Sequence, residues 1–143
     1  MVYKEIEGEK PKRKNPLIGL VLLLISIALL FTTGLFGFVF GLLHQLFTKG
    51  LRGIGEYALK IAISIDQLGN VMMQHLFNLI WIKKGGYKFG NRDETISSVL
   101  GKNKQLEMLT SFGKAIDYIL DFIDPNHSLN SIDYFIEPLE ETL

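Results

Sequence analysis

The sequence lacks several features that would identify an enzyme or a nucleic-acid-binding protein. It contains no cysteine, which excludes disulfide bonds, thiolate metal ligands and cysteine nucleophiles. No His-Glu-x-x-His pattern, Gly-Lys-Ser/Thr phosphate loop or Gly-x-Ser-x-Gly elbow is present. Basic residues end at Lys114, and residues 117–141 carry seven acidic residues and no basic one. A uniformly basic face for nucleic acid is therefore missing, and the early basic residues suit anionic lipid headgroups better.

One long hydrophobic run, by contrast, lies near the N-terminus. Residues 17–43 form a run of 27 residues without a charge, 19 of which are Leu, Ile, Val or Phe. About 20 residues are needed to cross a hydrocarbon core roughly 30 Å thick, and insertion of this run is favoured by about 6–11 kcal/mol. A cleaved signal peptide has a shorter apolar run that ends in small residues. We therefore predict an uncleaved transmembrane helix over residues 16–46, preceded by a charged segment over residues 1–15.

Charge and glycine spacing around the predicted span bear on its orientation and its contacts. Five basic residues precede the span and three follow within reach of it (Lys49, Arg52 and Lys60), which favours a cytoplasmic N-terminus. Gly34, Gly37 and Gly41 recur at steps of three and four, a spacing that allows a second helix to approach closely, as in a homo-oligomer. Glycine is also simply frequent in membrane helices, so both interpretations stay open.

Residues 51–143 are predicted to form a small helical domain that begins with an amphipathic helix over residues 54–82. Apolar residues recur there at steps of three and four, and polar residues follow another side. Asp66 makes this helix a poor second span, because a carboxylate at mid-bilayer costs about 2.5–3.5 kcal/mol. Two placements are compatible: the helix lies in the membrane interface, with Trp81 and Tyr87 at headgroup level, or its apolar face packs on the last helices.

Three shorter helices are expected after the Gly-rich loop that starts at residue 85. The first covers residues 93–100, with Asp93 as its N-cap and Gly101 as its stop. The second covers residues 104–124 and ends before Pro125. A short helix follows over residues 129–136. The predicted fold class is all-α, with one N-terminal transmembrane helix followed by an amphipathic helix and a small helical C-terminal domain.

Acidic, amide, hydroxyl and imidazole groups in the C-terminal half have two interpretations. Asp93 and Glu94 suit the positive end of a helix, which explains much of their cluster without a site. Asp117, Asp121 and Asp124 form a row by their spacing, which is typical of a solvated helix side. Carboxylates and imidazole are also ligands for a divalent metal ion, although the sequence identifies no cofactor. The candidate metal ligands are Asp93, Glu94, Asp124 and His127.

The stretches "SIDQLGN", "FGNRDETISSVLGKN" and "DPNHS", between Ser64 and Ser128, resemble a group of small bacteriophage and prophage proteins of uncharacterised function. The resemblance implies a host inner membrane or a virion membrane as the location and another phage protein as a partner, and the count of basic residues favours a cytoplasmic or interior N-terminus. Ser128 stands where some members of the group carry cysteine, which argues against a thiol-based role. The resemblance also implies a set of candidate functional positions: Asp66, Gln67, Asn70, Asp93, Glu94, Thr95, Ser97, Ser98 and His127.

Two functional hypotheses follow. The first is a membrane-anchored phage-type protein with a structural, assembly or interaction role, whose partners are the lipid bilayer and either further copies of the chain or another phage protein. The second is a membrane-tethered, metal-dependent hydrolase. Its candidate catalytic residues are Asp66, Asn70, Asp93, Glu94, Ser97 and His127. The sequence favours the first hypothesis, because the long span and the amphipathic segment need no reaction to explain them.

Overall fold

The computed structural model describes residues 15–136, and the regular elements in this range are all helical. They are α1 (Pro16–Leu29), a π-helical turn (Leu30–Gly34), α2 (Leu35–Met72), α3 (Gln74–Ile80), α4 (Ile96–Gln105), α5 (Ser111–Ile123) and α6 (His127–Asn130). One isolated antiparallel bridge joins Ile82 and Leu109. The all-α prediction is confirmed for this range. The predicted segment 1–15 lies outside the described residues, except for Asn15.

The chain divides between Ile54 and Gly55 into two compact units, which are described separately. In the first unit, α1 begins at Asn15, whose side chain accepts a hydrogen bond from the Leu17 N–H at 2.9 Å. The described residues contain one helical stretch, Pro16–Met72, that is long and apolar enough to cross a membrane, and its most apolar 18-residue window is not buried at all.

Two irregularities interrupt this apolar stretch. At the π-helical turn, the hydroxyl groups of Thr32 and Thr33 donate to the carbonyls of Ala28 and Leu29 at 2.8 and 2.7 Å, a contact typical of threonine in apolar helices. Gly50 interrupts α2 with φ 64° and ψ −151°, a conformation that favours glycine. The close helix contact predicted at Gly34, Gly37 and Gly41 is untested by a single chain and stays a prediction.

Stacked aromatic rings form the centre of the second unit. The rings of Phe77 and Trp81 stack with centroids 3.7 Å apart, and Phe89 meets both edge-on at 5.3 and 5.8 Å. These residues belong to a small buried core: Phe77, Trp81, Ile82, Phe89, Val99, Leu100 and Leu109. The loop residue Phe89 therefore anchors the segment between α3 and α4.

The orientation of the amphipathic segment contradicts one of its two predicted placements. The polar residues Asn70 and Asn78 face the rest of the unit, whereas the apolar residues Ile65, Leu68 and Met72 lie on the surface. The idea that the apolar face packs on the last helices is therefore wrong for these positions. The segment is also not one helix to residue 82, since α2 ends at Met72 and α3 follows.

The ends of the later helices differ from the predicted ones because tertiary hydrogen bonds set them. The N-cap of α4 is Thr95 rather than Asp93, since the Asn91 side chain accepts from the Asp93 N–H at 3.1 Å and holds a turn there. Residues 106–110 are not helical, because the Thr110 N–H donates to the Trp81 carbonyl at 2.9 Å. The last described helix, α6, occupies residues 127–130 rather than 129–136.

Gly101 does not end a helix but lies buried inside α4, where it permits a close approach to α6. A Cβ atom at this position would collide with the carbonyl oxygen of Ser128. We therefore expect Gly101→Ala to lower the free energy of unfolding by about 1–3 kcal/mol. Denaturant unfolding in detergent, followed by the fluorescence of the single tryptophan, measures the change.

The matched control for this substitution is Gly55→Ala. Gly55 also lies in a helix, but a Cβ atom there would meet nothing within 4 Å. Its replacement should be neutral or slightly stabilising, because alanine favours helix. Equal losses in the two variants would contradict the proposed contact between α4 and α6.

Candidate functional site

Asparagine side chains fix the loop between α3 and α4 by pairing with its main chain. The amide of Asn78 donates to the Phe89 carbonyl at 3.1 Å and accepts from the Phe89 N–H at 2.8 Å. Asn103 pairs in the same way with Tyr87, at 2.8 and 2.9 Å. Each side chain thus substitutes for a neighbouring strand and satisfies both polar groups of one loop residue.

Asn70 completes this arrangement and is itself fully buried. Its amide oxygen accepts from the Gly90 N–H at 2.9 Å, and its amide nitrogen donates to the carbonyls of Asn91 and Glu94 at 3.0 and 2.7 Å. We call Asn70, Asn78 and Asn103 the asparagine clamp. The polar side of α2 and α3 turns inward because the loop main chain needs these partners.

Glu94 is 1% exposed and lies at the centre of a second polar cluster. Its carboxylate accepts from Lys102 Nζ at 2.6 Å, from Ser98 Oγ at 2.6 Å and from the Tyr87 hydroxyl at 2.9 Å. Burial disfavours the charged form of Lys102, but the hydrogen bonds to Glu94 and Tyr87 outweigh it and raise the pKa of the ammonium. Glu94, Tyr87, Ser98 and Lys102 form the Glu94 cluster, a buried ion pair whose carboxylate is fully bonded.

The acidic row on α5 is also engaged by a lysine. Lys104 Nζ lies 2.8 Å from Asp117 and 2.7 Å from Asp121, which ties α4 to α5. The third member of the row, Asp124, is hydrogen-bonded through a carboxylate oxygen to Nδ1 of His127, at 2.9 Å. The carboxylates of this row are therefore paired with Lys104 and His127, and they are neither simply solvated nor available as metal ligands.

The four candidate metal ligands are not assembled in one place. Glu94 is bonded to Lys102, whereas Asp93 is exposed beside Arg92, at 3.6 Å. Asp124 and His127 form a pair of their own. Among residues 15–136, no group of three or more acidic or histidine side chains is arranged to hold a metal ion.

A cavity of about 560 Å³ brings several other suspected residues together. Asp66 accepts a hydrogen bond from Ser97 Oγ at 3.4 Å at one side of it. Burial raises the pKa of Asp66, although hydrogen bonds from the main chain of Ser97 and Ile96 offset part of this effect. We call it the Asp66 cavity, and its lining is Leu59, Ala62, Ile63, Asp66, Thr95, Ser97, Leu120, His127 and Ser131.

The predicted site residues thus separate into three environments. Asp66, Ser97 and His127 line the Asp66 cavity, while Asn70 and Glu94 are internal structural groups. Asp93 is exposed, and its carbonyl accepts from the Gln67 amide at 3.1 Å. Sequence reasoning missed the roles of Tyr87, Lys102 and Asn103. The spacing of Glu94, Ser98 and Lys102 by four was the available signal, since it places the three on one side of a helix.

A comparison with protein-family models, curated proteins and solved structures finds no match to this chain. The function proposed below therefore rests on the contacts and the exposed surfaces of the described residues.

Proposed function

We propose that this chain is a membrane-anchored, non-enzymatic protein of the phage type, whose C-terminal unit is a rigid interaction module that lies against the bilayer. Residues 16–46 supply the membrane span in this proposal. One observation carries it: the segment after the span buries its polar side in the unit and exposes its apolar side.

The exposed apolar side is continuous enough to bind a lipid surface. Five apolar residues recur there at steps of three and four, and each is between 46 and 77% exposed. They are Ile65, Leu68, Met72, Leu76 and Leu79, which we call the apolar stripe. Removing these side chains from water contributes on the order of 5 kcal/mol, which is sufficient to hold an already tethered unit on a bilayer.

A second helix shows the same excess of exposed apolar surface. On α5, Phe112, Ile119, Phe122 and Ile123 are 54–82% exposed, while Ile116 and Leu120 pack toward the core. Soluble monomers rarely leave two such helix sides uncovered. The exposed lysines that precede the loop, Lys83 and Lys84, suit anionic headgroups at about 1 kcal/mol each.

The hydrolase hypothesis has less support. Its central carboxylate, Glu94, is bonded to Lys102, Ser98 and Tyr87, so it has no open position for a metal ion or a substrate. Asn70 is likewise occupied by three main-chain groups. Both residues therefore stabilise the module through the hydrogen bonds that they already make.

The bilayer contact is testable with single environment-sensitive labels, because the chain has no native cysteine. With the full chain in liposomes, a fluorescent label at Met72→Cys or Leu79→Cys should be quenched strongly by doxyl lipids. Shallow quenchers should act better than deep ones, because the stripe is expected to lie at the interface and not across the bilayer.

The matched control is Gln105→Cys, at an exposed polar position at the end of α4. Its label should respond to a water-soluble quencher and not to the lipid quenchers. If all three labels were equally accessible to water, the C-terminal unit would not lie on the bilayer. Deep quenching at Met72 would instead indicate a longer membrane crossing.

A further inference from the structure

The Asp66 cavity has the size and composition of a small-molecule site. Its volume of about 560 Å³ lies within the range of about 300–1,000 Å³ that is usual for ligand pockets. Apolar side chains form one part of its wall: Leu59, Ala62, Ile63 and Leu120. Polar groups from α2, α4 and the α6 region form the rest, so a ligand here needs an apolar body and a polar end.

The polar groups of the cavity are mostly acceptors of hydrogen bonds. Ser97 Oγ donates its proton to Asp66, and Ser131 Oγ donates to the His127 carbonyl at 2.7 Å. When Nδ1 of His127 donates to Asp124, the neutral ring offers Nε2 as an acceptor. Only the hydroxyl group of Thr95, which accepts from the Ser98 N–H, keeps a proton to donate. A complementary ligand must therefore supply several N–H or O–H donors.

The charges of the lining side chains also favour a ligand that donates hydrogen bonds, and they favour a positive one. Asp66 is the acidic residue of the lining, and the only basic side chain in it is the imidazole of His127. A carboxylate held in a half-buried position beside an apolar wall attracts a cation that can replace its lost hydration. A primary ammonium group combines a positive charge with three donors, whereas a quaternary ammonium has the charge but no donor.

We propose that the Asp66 cavity binds the primary ammonium headgroup of an aminophospholipid, with Asp66 and His127 as acceptors and the apolar wall against the adjoining part of the lipid. The lipid source of the amine rests on the proposed membrane location, because a membrane surface delivers such headgroups at high local concentration. The selectivity for a primary amine rests only on the cavity.

The ionisation of Asp66 offers a second test of the cavity besides lipid selectivity. Because its pKa in the folded state is raised above 3.8, Asp66 contributes stability fully below pH 3.8 and loses it as the pH rises through the folded value. The ionised carboxylate thus weakens the free protein at neutral pH. Residues that reduce stability are often retained for binding, so Asp66→Asn should raise the melting temperature and remove the ligand selectivity.

Native mass spectrometry of the full chain in detergent tests this inference with a graded headgroup series. The probes are short-chain phosphatidylethanolamine, its N-methyl and N,N-dimethyl derivatives, and phosphatidylcholine, which carry three, two, one and no N–H donors on the amine. We expect phosphatidylethanolamine to bind at least ten-fold tighter than phosphatidylcholine, with affinity falling along the series. In Asp66→Asn the difference should shrink to less than about two-fold.

Two further variants keep the test decisive. Ala62→Phe, which fills the cavity from its wall, should abolish binding of the whole series even if Asp66→Asn proved difficult to purify. Glu107→Gln alters an exposed acid that does not line the cavity and should leave the series unchanged. Equal binding of all four lipids, or an unchanged preference in Asp66→Asn, would overturn the proposal.

The lipid source has its own control. If phosphoethanolamine without acyl chains bound as tightly as the lipid, the lipid assignment would be wrong, and a water-soluble amine would be the ligand. Because these measurements are made in detergent, they fail or succeed independently of the bilayer contact that the label-quenching experiment measures.

Discussion

Replacement of Glu94 by alanine is expected to lower the free energy of unfolding by about 3–5 kcal/mol, because it leaves a largely buried ammonium group without its partner. Lys102 Nζ would keep only the Tyr87 hydroxyl at 3.2 Å, and Ser98 Oγ would lose its acceptor. Denaturant unfolding of the detergent-purified protein, with Trp81 fluorescence as the signal, gives the difference. A loss below about 1 kcal/mol would contradict a structural role of the ion pair.

The double variant Glu94→Gln with Lys102→Met separates the lost charge pair from general damage. It removes both charges together and leaves glutamine to bond Ser98 and Tyr87, so it should recover most of the stability lost in Glu94→Ala. The pH dependence of the stability of the wild-type protein offers a second measurement. Since the pKa of Lys102 is raised above 10.5, the stabilisation from the pair is present below that pH and is lost as the pH rises through the folded value. This decline should be smaller in the double variant.

The helical character of the chain was predictable because it depends on local spacing, whereas the helix ends were not. Apolar steps of three and four are visible in the sequence, and the helices lie where those steps recur. The bond from the Thr110 N–H to the Trp81 carbonyl, however, joins residues 29 positions apart and replaces a helical turn at residues 106–110. A rule based on neighbouring residues cannot detect such a partner.

The inward orientation of the polar side follows from a physical condition that amphipathic patterns do not include. The usual rule assumes water outside the fold, so apolar residues are assigned to the interior. Here the loop main chain at Phe89 and Gly90 requires donors and acceptors inside the unit, and Asn78 and Asn70 supply them. The apolar side then remains outside, which suits a protein tethered to a bilayer.

The candidate site was only partly predictable for a similar reason. The resemblance named Asp66, Ser97 and His127 among its suspected positions, and these three residues line one cavity, while their functional role stays a prediction. It did not separate them from Glu94, whose burial and pairing with Lys102 depend on the packing of the loop against α4. Residue type alone does not distinguish a carboxylate that is fully bonded from one that faces a cavity.

Asn70→Ala is expected to destabilise the protein by about 3 kcal/mol or more, nearly as much as the loss of Glu94. The substitution removes the Asn70 partner of the Gly90 N–H and of the Glu94 carbonyl, whereas the Asn91 carbonyl keeps the Glu94 N–H at 3.2 Å, and each unsatisfied buried group costs about 1–3 kcal/mol. Asn130→Ala is the matched control, because Asn130 is exposed on α6, and the change in its free energy of unfolding should stay within about 0.5 kcal/mol.

Amide hydrogen exchange locates the effect of Asn70→Ala within the loop. The Gly90 amide, which donates to Asn70 in the wild type, should lose its protection first. If the asparagine clamp acts as one unit, the amides of Tyr87 and Phe89 will lose protection as well, although Asn103 and Asn78 still face them. Thr95, which follows this loop and lines the Asp66 cavity, would then be displaced, and the preference for phosphatidylethanolamine should fall with it. Unchanged protection at Gly90 would show that the clamp does not hold the loop.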